Sequence, residues 1–461
     1  MRIRYVATVL FVGVLTQGVR ADDWPQWLGP KRDAVWREDG LVKELPKSEL
    51  KVKWRQDVSG GYSGPSVAEG KVFVTDFVPS DLKKLKVPKK TNPWTRVTIP
   101  GRERLLCFRE SDGKPLWSHE YSRSYTMAYE YANGPRAVPT VHDGLVYFLG
   151  AEGDFTCLDA ETGDVRWSKF FPRDYSAKTP VWGWSSHPLI DGDLVITVVG
   201  GQGSTAVAWN RKTGQEVWRS LSSKEPGYAA PVIYELGGLR QLIIWHGEAV
   251  NGIDPADGKP FWSVEAKPFS GMSCSTPRAW NDHLYVMGYQ HMSAMLRVAK
   301  GGKSASVLWR GKPKSGIAGT MNTAHFSDGV IYGDGASGRY TCASVETGEW
   351  RWHSYEPSTG SRPVRWANVF TVRLESAGPN RYVLANDQGD LIFATLTPES
   401  YQETSRAKIV EPSHRVWGRL VAWSHPAFAN RCVYQRNDRE IVCYSLAAHS
   451  EKAESTPSEE K

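Results

Sequence analysis

Short apolar runs alternate with polar positions and are closed by Gly-, Asp- or Pro-bearing turns along most of the chain. Such runs predict β-strands of period two rather than helices. Within one unit the pattern predicts strands at Ala137–Val141, Leu145–Leu149, Phe155–Leu158 and Val165–Phe170, with turns at Asp143-Gly144, Glu152–Asp154 and Thr162-Gly163. The last turn belongs to a longer element, Cys157-Leu158-Asp159-Ala160-Glu161-Thr162-Gly163-Asp164-Val165-Arg166-Trp167. It recurs as Ala208–Trp218 and Cys342–Trp352, and more loosely around Asp112-Gly113 to Trp117 and Asp257-Gly258 to Trp262. Each repeated letter has a physical reason. Gly reaches the left-handed backbone of a tight turn, Asp159 or Asn210 can bind the turn amides, and Trp covers the neighbouring repeat.

Closing Trp residues at 117, 167, 218, 262, 309 and 352 are spaced by 50, 51, 44, 47 and 43 residues, the period of a four-stranded propeller blade. Trp54 carries a closing strand with no turn before it, whereas Cys432–Tyr434 and Ile441–Tyr444 make strands that no Trp strand follows. The two half-repeats predict an all-β, eight-bladed β-propeller over residues 50–446, closed by pairing the N-terminal strand with the last blade. Blade five (Ala294–Trp309) and blade seven (Asn368–Val410) are degenerate, and a count of seven holds only if one of them is a loop. Trp54, Trp117, Trp167, Trp218, Trp262, Trp309 and Trp352 are thus read as docking residues between repeats. Pro65, Pro139, Pro188, Pro231, Pro277 and Pro426 open first strands, as expected of an innermost strand with one free edge.

Composition adds the compartment. Arg2 and Arg4, the apolar run Val6–Leu15 and Val19-Arg20-Ala21 read as a cleavable signal peptide over residues 1–21, too short to span a bilayer. Its removal takes the net charge from +7 to +4, which leaves no nucleic-acid footprint and points to a secreted or periplasmic protein with no transmembrane segment. Residues 22–49, with Trp24, Trp27 and Trp36, read as a segment packed on the propeller. Residues 78–102 read as a basic insertion in blade one, and residues 447–461 as a disordered tail. Cys107, Cys157, Cys342 and Cys443 share one repeat position and are read as buried packing groups. Cys432 and Cys443 are symmetric about Asn437-Asp438, so a cross-strand disulfide is open to them.

The repeated Ala-x-Asp-x-x-Thr-Gly-x-x-x-Trp element, here Cys157–Trp167, resembles that of the quinoprotein-type (PQQ-like) β-propeller family, as does the opening Trp24-Pro25-Gln26-Trp27. The resemblance implies one of two roles. One is a binding or assembly scaffold for an envelope or extracellular protein. The other is a dehydrogenase holding pyrroloquinoline quinone and Ca²⁺ on the axis. Neither adjacent cysteines nor a Cys-x-x-Cys-His haem site occurs. The scaffold is therefore the leading reading and the quinone-dependent oxidoreductase the second; a carbohydrate-binding propeller is the third.

Connections from the last strand of one blade to the first of the next should reach one rim of the axis. They carry the candidate ligand-binding residues Glu130, Arg136, Trp182, Trp184, His187, Asn322, Trp366, Asn368, Trp423 and His425. Trp184, Trp366 and Trp423 would stack a planar or sugar-like small molecule, with Arg136, Glu130 and Asn368 as polar contacts. The competing reading has these loops seal the face and dock residues 22–49. No catalytic residue is assigned, and no metal site, since His187 and His425 lack a third ligand.

Overall fold

Trp54, Trp117, Trp167, Trp218, Trp262, Trp309 and Trp352 each lie on the outermost strand of a four-stranded antiparallel sheet. In the computed structural model, which describes residues 22–80, 95–128, 134–290, 292–335, 337–416 and 418–448, the strands form seven four-stranded sheets, one five-stranded sheet and a small hairpin. The leader, Lys83, Lys84, Lys86, Lys89, Lys90, Glu130, Trp417 and the tail beyond residue 448 lie outside the described residues. The first sheet holds Ser66–Ala68, Lys71–Pro79, Arg96–Arg109 and Pro115–Ala128; the second holds Thr140–His142, Leu145–Leu149, Asp154–Asp159 and Val165–Phe170. The third to seventh run from Leu189 to Ser220, Val232 to Glu265, Arg278 to Arg310, His325 to Ser354 and Val369 to Lys408. The eighth joins Ala427–Ala429, Cys432–Arg436 and Glu440–Ser445 to Val52–Asp57 from the other end of the chain, with Trp54 opposite Cys443 and Arg55 opposite Val442. This is β-propeller architecture.

Sheets are held together by one recurring contact. The Trp54 indole N–H donates to Glu110 O (2.7 Å), Trp117 to Ala160 O (3.3 Å), Trp167 to Arg211 O (3.0 Å), Trp218 to Pro255 O (3.1 Å) and Trp309 to Val345 O (2.8 Å). Each carbonyl lies three residues before a glycine: Gly113, Gly163, Gly214, Gly258 and Gly348, all with φ between +70° and +78°. A Cβ on any of them would lie 2.6–3.0 Å from the docked ring. Glycine is thus required twice, for the left-handed turn and for the approach of the indole. A bulge one residue before each Trp turns its ring out of the pleat, as between Val165 and Trp167. Opposite the rings sit Cys107, Cys157, Ala208, Gly252, Cys342 and Cys443, small residues that leave room beneath the indole, and Met295 opposite Trp309.

Several expectations are corrected. Trp262 does not reach across: its N–H donates to Gln241 Oε1 of its own sheet (2.6 Å), because the next sheet's turn folds back, Gly301 N–H donating to Gly237 O (2.7 Å). Cys432 and Cys443 are free thiols. The four-residue turn Asn437–Glu440, in which Asn437 Oδ1 accepts the Arg439 and Glu440 amides, sets Cys432 opposite Ser445 and Cys443 opposite Tyr434. Described parts of the basic insertion are strand rather than loop, since Val78 pairs with Arg102 and Arg96 with Ala128. Ala447 bridges Leu41, so the start of the expected tail is tied down.

Residues 22–49 lie across the sheets. Trp24 bridges Val67 of the first sheet, and Val35–Trp36 add a parallel fifth strand to Val369–Leu374 of the seventh. Between them the buried Arg32 guanidinium donates to Pro188 O (2.9 Å), His187 O (3.3 Å) and Pro231 O (3.1 Å), tying the segment to the third and fourth sheets. Because Trp167 is almost wholly buried between two sheets, Trp167→Ala should cost about 3–5 kcal/mol. Urea unfolding followed by far-UV circular dichroism checks this, with Trp280→Ala, a half-buried ring outside the docking set, costing clearly less.

Candidate functional site

The connections into the first strands converge on one cavity of about 340 Å³. Each sheet contributes to it: Tyr62 from the first, Arg136 from the second, His187 from the third and Tyr228 from the fourth. Met272, Thr320, Trp366 and Trp423 come from the fifth to the eighth. Trp27 of the N-terminal segment also lines it, so the strap closes what eight connections surround.

Trp27 stacks on His187 with ring centroids 4.3 Å apart and planes at 15°, and meets His425 at 4.3 Å and 57°. Its indole N–H donates to Thr276 Oγ1 (2.8 Å). His187 Nδ1 accepts the Val138 amide (2.8 Å), which puts the proton of the neutral ring on Nε2. Burial, with His425 and Arg32 nearby, holds His187 well below the ordinary histidine range; burial pushes His425 down to about 3. Their rings lie 6.1 Å apart and both pack on Trp27, as a neutral platform. Trp366 has φ +58°, a left-handed conformation unusual for a bulky residue, and the Arg365 guanidinium lies 4.4 Å from its ring centroid. The hairpin His414–Val416 with Arg419–Val421 packs Val416 and Val421 against Tyr62, Trp366 and Trp423. Arg136 lies over the Tyr62 ring at 5.4 Å and donates to Gly134 O (2.9 Å); burial lowers its guanidinium from the ordinary value.

Of the candidates read from the sequence, Arg136, Trp182, His187, Trp366, Trp423 and His425 line this cup. Trp184 does not. It is buried between the second and third sheets, edge-on to Phe171, with its N–H on Val199 O (2.7 Å). Asn322 and Asn368 are buried and are not among the lining residues. Trp27, Tyr62, Tyr228, Phe269, Cys274, Tyr289 and Phe370 line the cup without having been singled out. A signal was available for Tyr62, Tyr228, Phe269 and Cys274, which occupy the same strand-to-strand connections; Tyr289 and Phe370 offer none.

Among the described residues no three His, Cys, Asp or Glu side chains are placed to hold a metal ion. The described lining of the cup contains neither Asp nor Glu. Its donor set, aromatic rings with one guanidinium and two neutral imidazoles, does not fit calcium beside a quinone, which needs converging anionic oxygens. It fits a flat, largely apolar group with a polar edge.

The family model described as outer membrane protein assembly factor BamB matches residues 101–354, more than half of the chain. The chain belongs to that family. Its match runs from the third strand of the first sheet to the end of the sixth. The crystal structure of BamB from Moraxella catarrhalis is similar at TM-score 0.53 and 14% identity, covering 86% of this chain and 99% of that one. A computationally designed protein, Ika8, is similar at TM-score 0.51 and 10% identity, over 86% of this chain and 100% of that one. Quinohemoprotein alcohol dehydrogenase ADHIIG from Pseudomonas putida HK5 aligns at TM-score 0.44 and 13% identity, over 95% and 82%. No curated protein matches the chain in sequence. Among the described residues no helix is long and apolar enough to cross a membrane.

The neutral platform gives this BamB-family chain a pH signature. His187 and His425 bind a proton less readily folded than unfolded, so their contribution to stability is full above about pH 6.5 and is lost as pH falls below it, for His425 down toward about 3. For His425 the drop should be about 1–2 kcal/mol between pH 7 and pH 5, with His187 adding to it in the same direction. Imidazole Cε1–H signals of both rings, followed by NMR over that range, should not titrate while the protein stays folded.

Proposed function

We propose that this protein is a secreted or periplasmic binding scaffold, delivered by the leader at residues 1–21, whose eight sheets are the blades of one closed ring. The ring is supported by the pairing of Val52–Asp57 with Glu440–Ser445 and by the contribution of all eight connections to one cavity. Its recognition surface is the aromatic cup, which seats a ring or apolar side chain of a partner protein. The observation that carries this reading is the set of flat walls over a sealed floor: Trp182, Trp366 and Trp423 around Trp27. Aromatic pairs contribute about 0.5–1.5 kcal/mol beyond the area they bury, and hot spots of interfaces are enriched in Trp, Tyr and Arg. The matching family is described as an outer membrane protein assembly factor, and the similar Moraxella catarrhalis structure is that of BamB, which agrees with a protein partner.

A sugar is the second reading, favoured by the same flat rings. The quinone-dependent oxidoreductase is disfavoured by the missing anionic oxygens at the cup.

Immobilised protein exposed to an envelope extract should retain a discrete partner, and Trp182→Ala, which alters only a half-buried wall residue, should weaken that retention about tenfold. Undiminished retention by Trp182→Ala and Trp423→Ala together overturns the cup as the surface. A panel of soluble oligosaccharides competing for the cup would favour the sugar. Dye reduction on adding the quinone with Ca²⁺ would favour the oxidoreductase.

A further inference from the structure

Behind the wall of the cup the sixth and seventh sheets each present the same pair of residues. An asparagine precedes the first strand and an aspartate stands at the end of the second: Asn322 with Asp334, and Asn368 with Asp387. All four are at most 1% exposed, and none lines the cup. The two sheets meet beside these residues: His325 Nε2 lies 2.7 Å from Thr371 O, and Tyr340 Oη lies 2.9 Å from Thr371 Oγ1.

Their bonding is incomplete. Asn322 Nδ2 donates to Asp334 O (2.9 Å) and lies against Asp334 Oδ1; Asp387 Oδ2 accepts from Arg419 (2.5 Å) and Trp423 Nε1 (3.3 Å); Asn368 O accepts the Asp387 amide (3.0 Å). That leaves Asn322 Oδ1, Asp334 Oδ2, Asp387 Oδ1 and both side-chain polar atoms of Asn368 buried without a protein partner. Arg419 neutralises one of the two carboxylates, and among the described residues no cationic side chain pairs with Asp334. Unpaired buried carboxylates and orphaned amides are expensive, and a group of them in one place calls for a common occupant.

The chemistry of the donors selects it. All the free acceptors are oxygens, two anionic and two amide, drawn from two adjoining sheets. Hard cations take such ligands, and Ca²⁺ accepts six to eight oxygens in flexible geometry at about 2.3–2.6 Å, water supplying those the protein does not. The location has a structural logic. The sixth sheet's Trp352 docks on Thr397 O (2.9 Å), in a turn that has no glycine, and the seventh sheet has no docking Trp of its own. A cation would clamp these sheets where the indole contact is least regular.

We propose that Asn322, Asp334, Asn368 and Asp387 form a buried Ca²⁺ site that fastens the sixth sheet to the seventh. It stands apart from the cup and depends on no quinone.

The test uses the full chain stripped with EGTA and dialysed. Calorimetry should count one Ca²⁺ per chain, and Ca²⁺ should raise the melting temperature that EGTA lowers. Tb³⁺ should luminesce when tryptophan is excited, because Trp423 touches Asp387, and Ca²⁺ should quench that signal by displacement. Asp334→Asn, close in shape, should abolish the Ca²⁺ response with the circular dichroism unchanged, and Asn368→Ala should weaken binding at least tenfold. Absence of heat, melting shift and Tb³⁺ luminescence in the stripped wild type overturns the site, leaving a proton and water to fill it. An unchanged response in both variants overturns it equally, by placing the ion elsewhere.

Discussion

The docked indole over a left-handed glycine is the constraint on which the architecture depends. It joins a bulge in one sheet to a turn in the next, and neither half is useful alone: the bulge aims the ring, and the missing Cβ admits it. The bond is directional, so the five sheet junctions that share it set neighbouring sheets in similar orientations, and residues from the connections into the first strands line one cavity. A cavity with one contributor per sheet follows from that repetition rather than from any motif of its own.

The N-terminal strap turns an opening into a cup. Three non-glycine residues in seven, Leu28, Arg32 and Ala34, have positive φ, a concentration of unfavourable backbone that persists because the surroundings fix it. Arg32 is balanced there by carbonyl dipoles of two sheets and by Gln26 Oε1, with no carboxylate bonded to it among the described residues, and burial lowers its guanidinium to about 10, so it stays charged. Trp27 then rests on two imidazoles that burial keeps neutral, and the floor is apolar although it contains two histidines.

The repeat was legible because its letters answer to local physics. Asp159 Oδ1 accepts the amides of Glu161 and Thr162, as its spacing predicts, and Asn210 does the same for Lys212 and Thr213. The strand-to-strand connections were legible as a class, and six of the ten candidate residues line the cup. Which member of a connection faces inward was not legible: Trp182 and Trp184 are two positions apart, yet one lines the cavity and the other packs on Phe171. The register at Cys432 and Cys443 depended on a turn two residues longer than assumed. Asn322, Asp334, Asn368 and Asp387 span 65 positions of sequence on two adjoining sheets, and only the packed structure reveals that their side chains are buried with polar atoms unpaired.

The pairing of the eighth sheet also has a temporal consequence. Arg55 and Glu440, 385 residues apart, bond in adjacent strands. Most meanders can form as they are made, from contacts close in sequence, but this one waits for the last part of the chain. Until then Val52–Asp57, with the indole of Trp54 and the earlier Trp24, Trp27 and Trp36 before it, has no final partner. Biosynthesis therefore carries an interval in which the most aromatic end of the molecule is the least protected, and escort by a chaperone would matter most there.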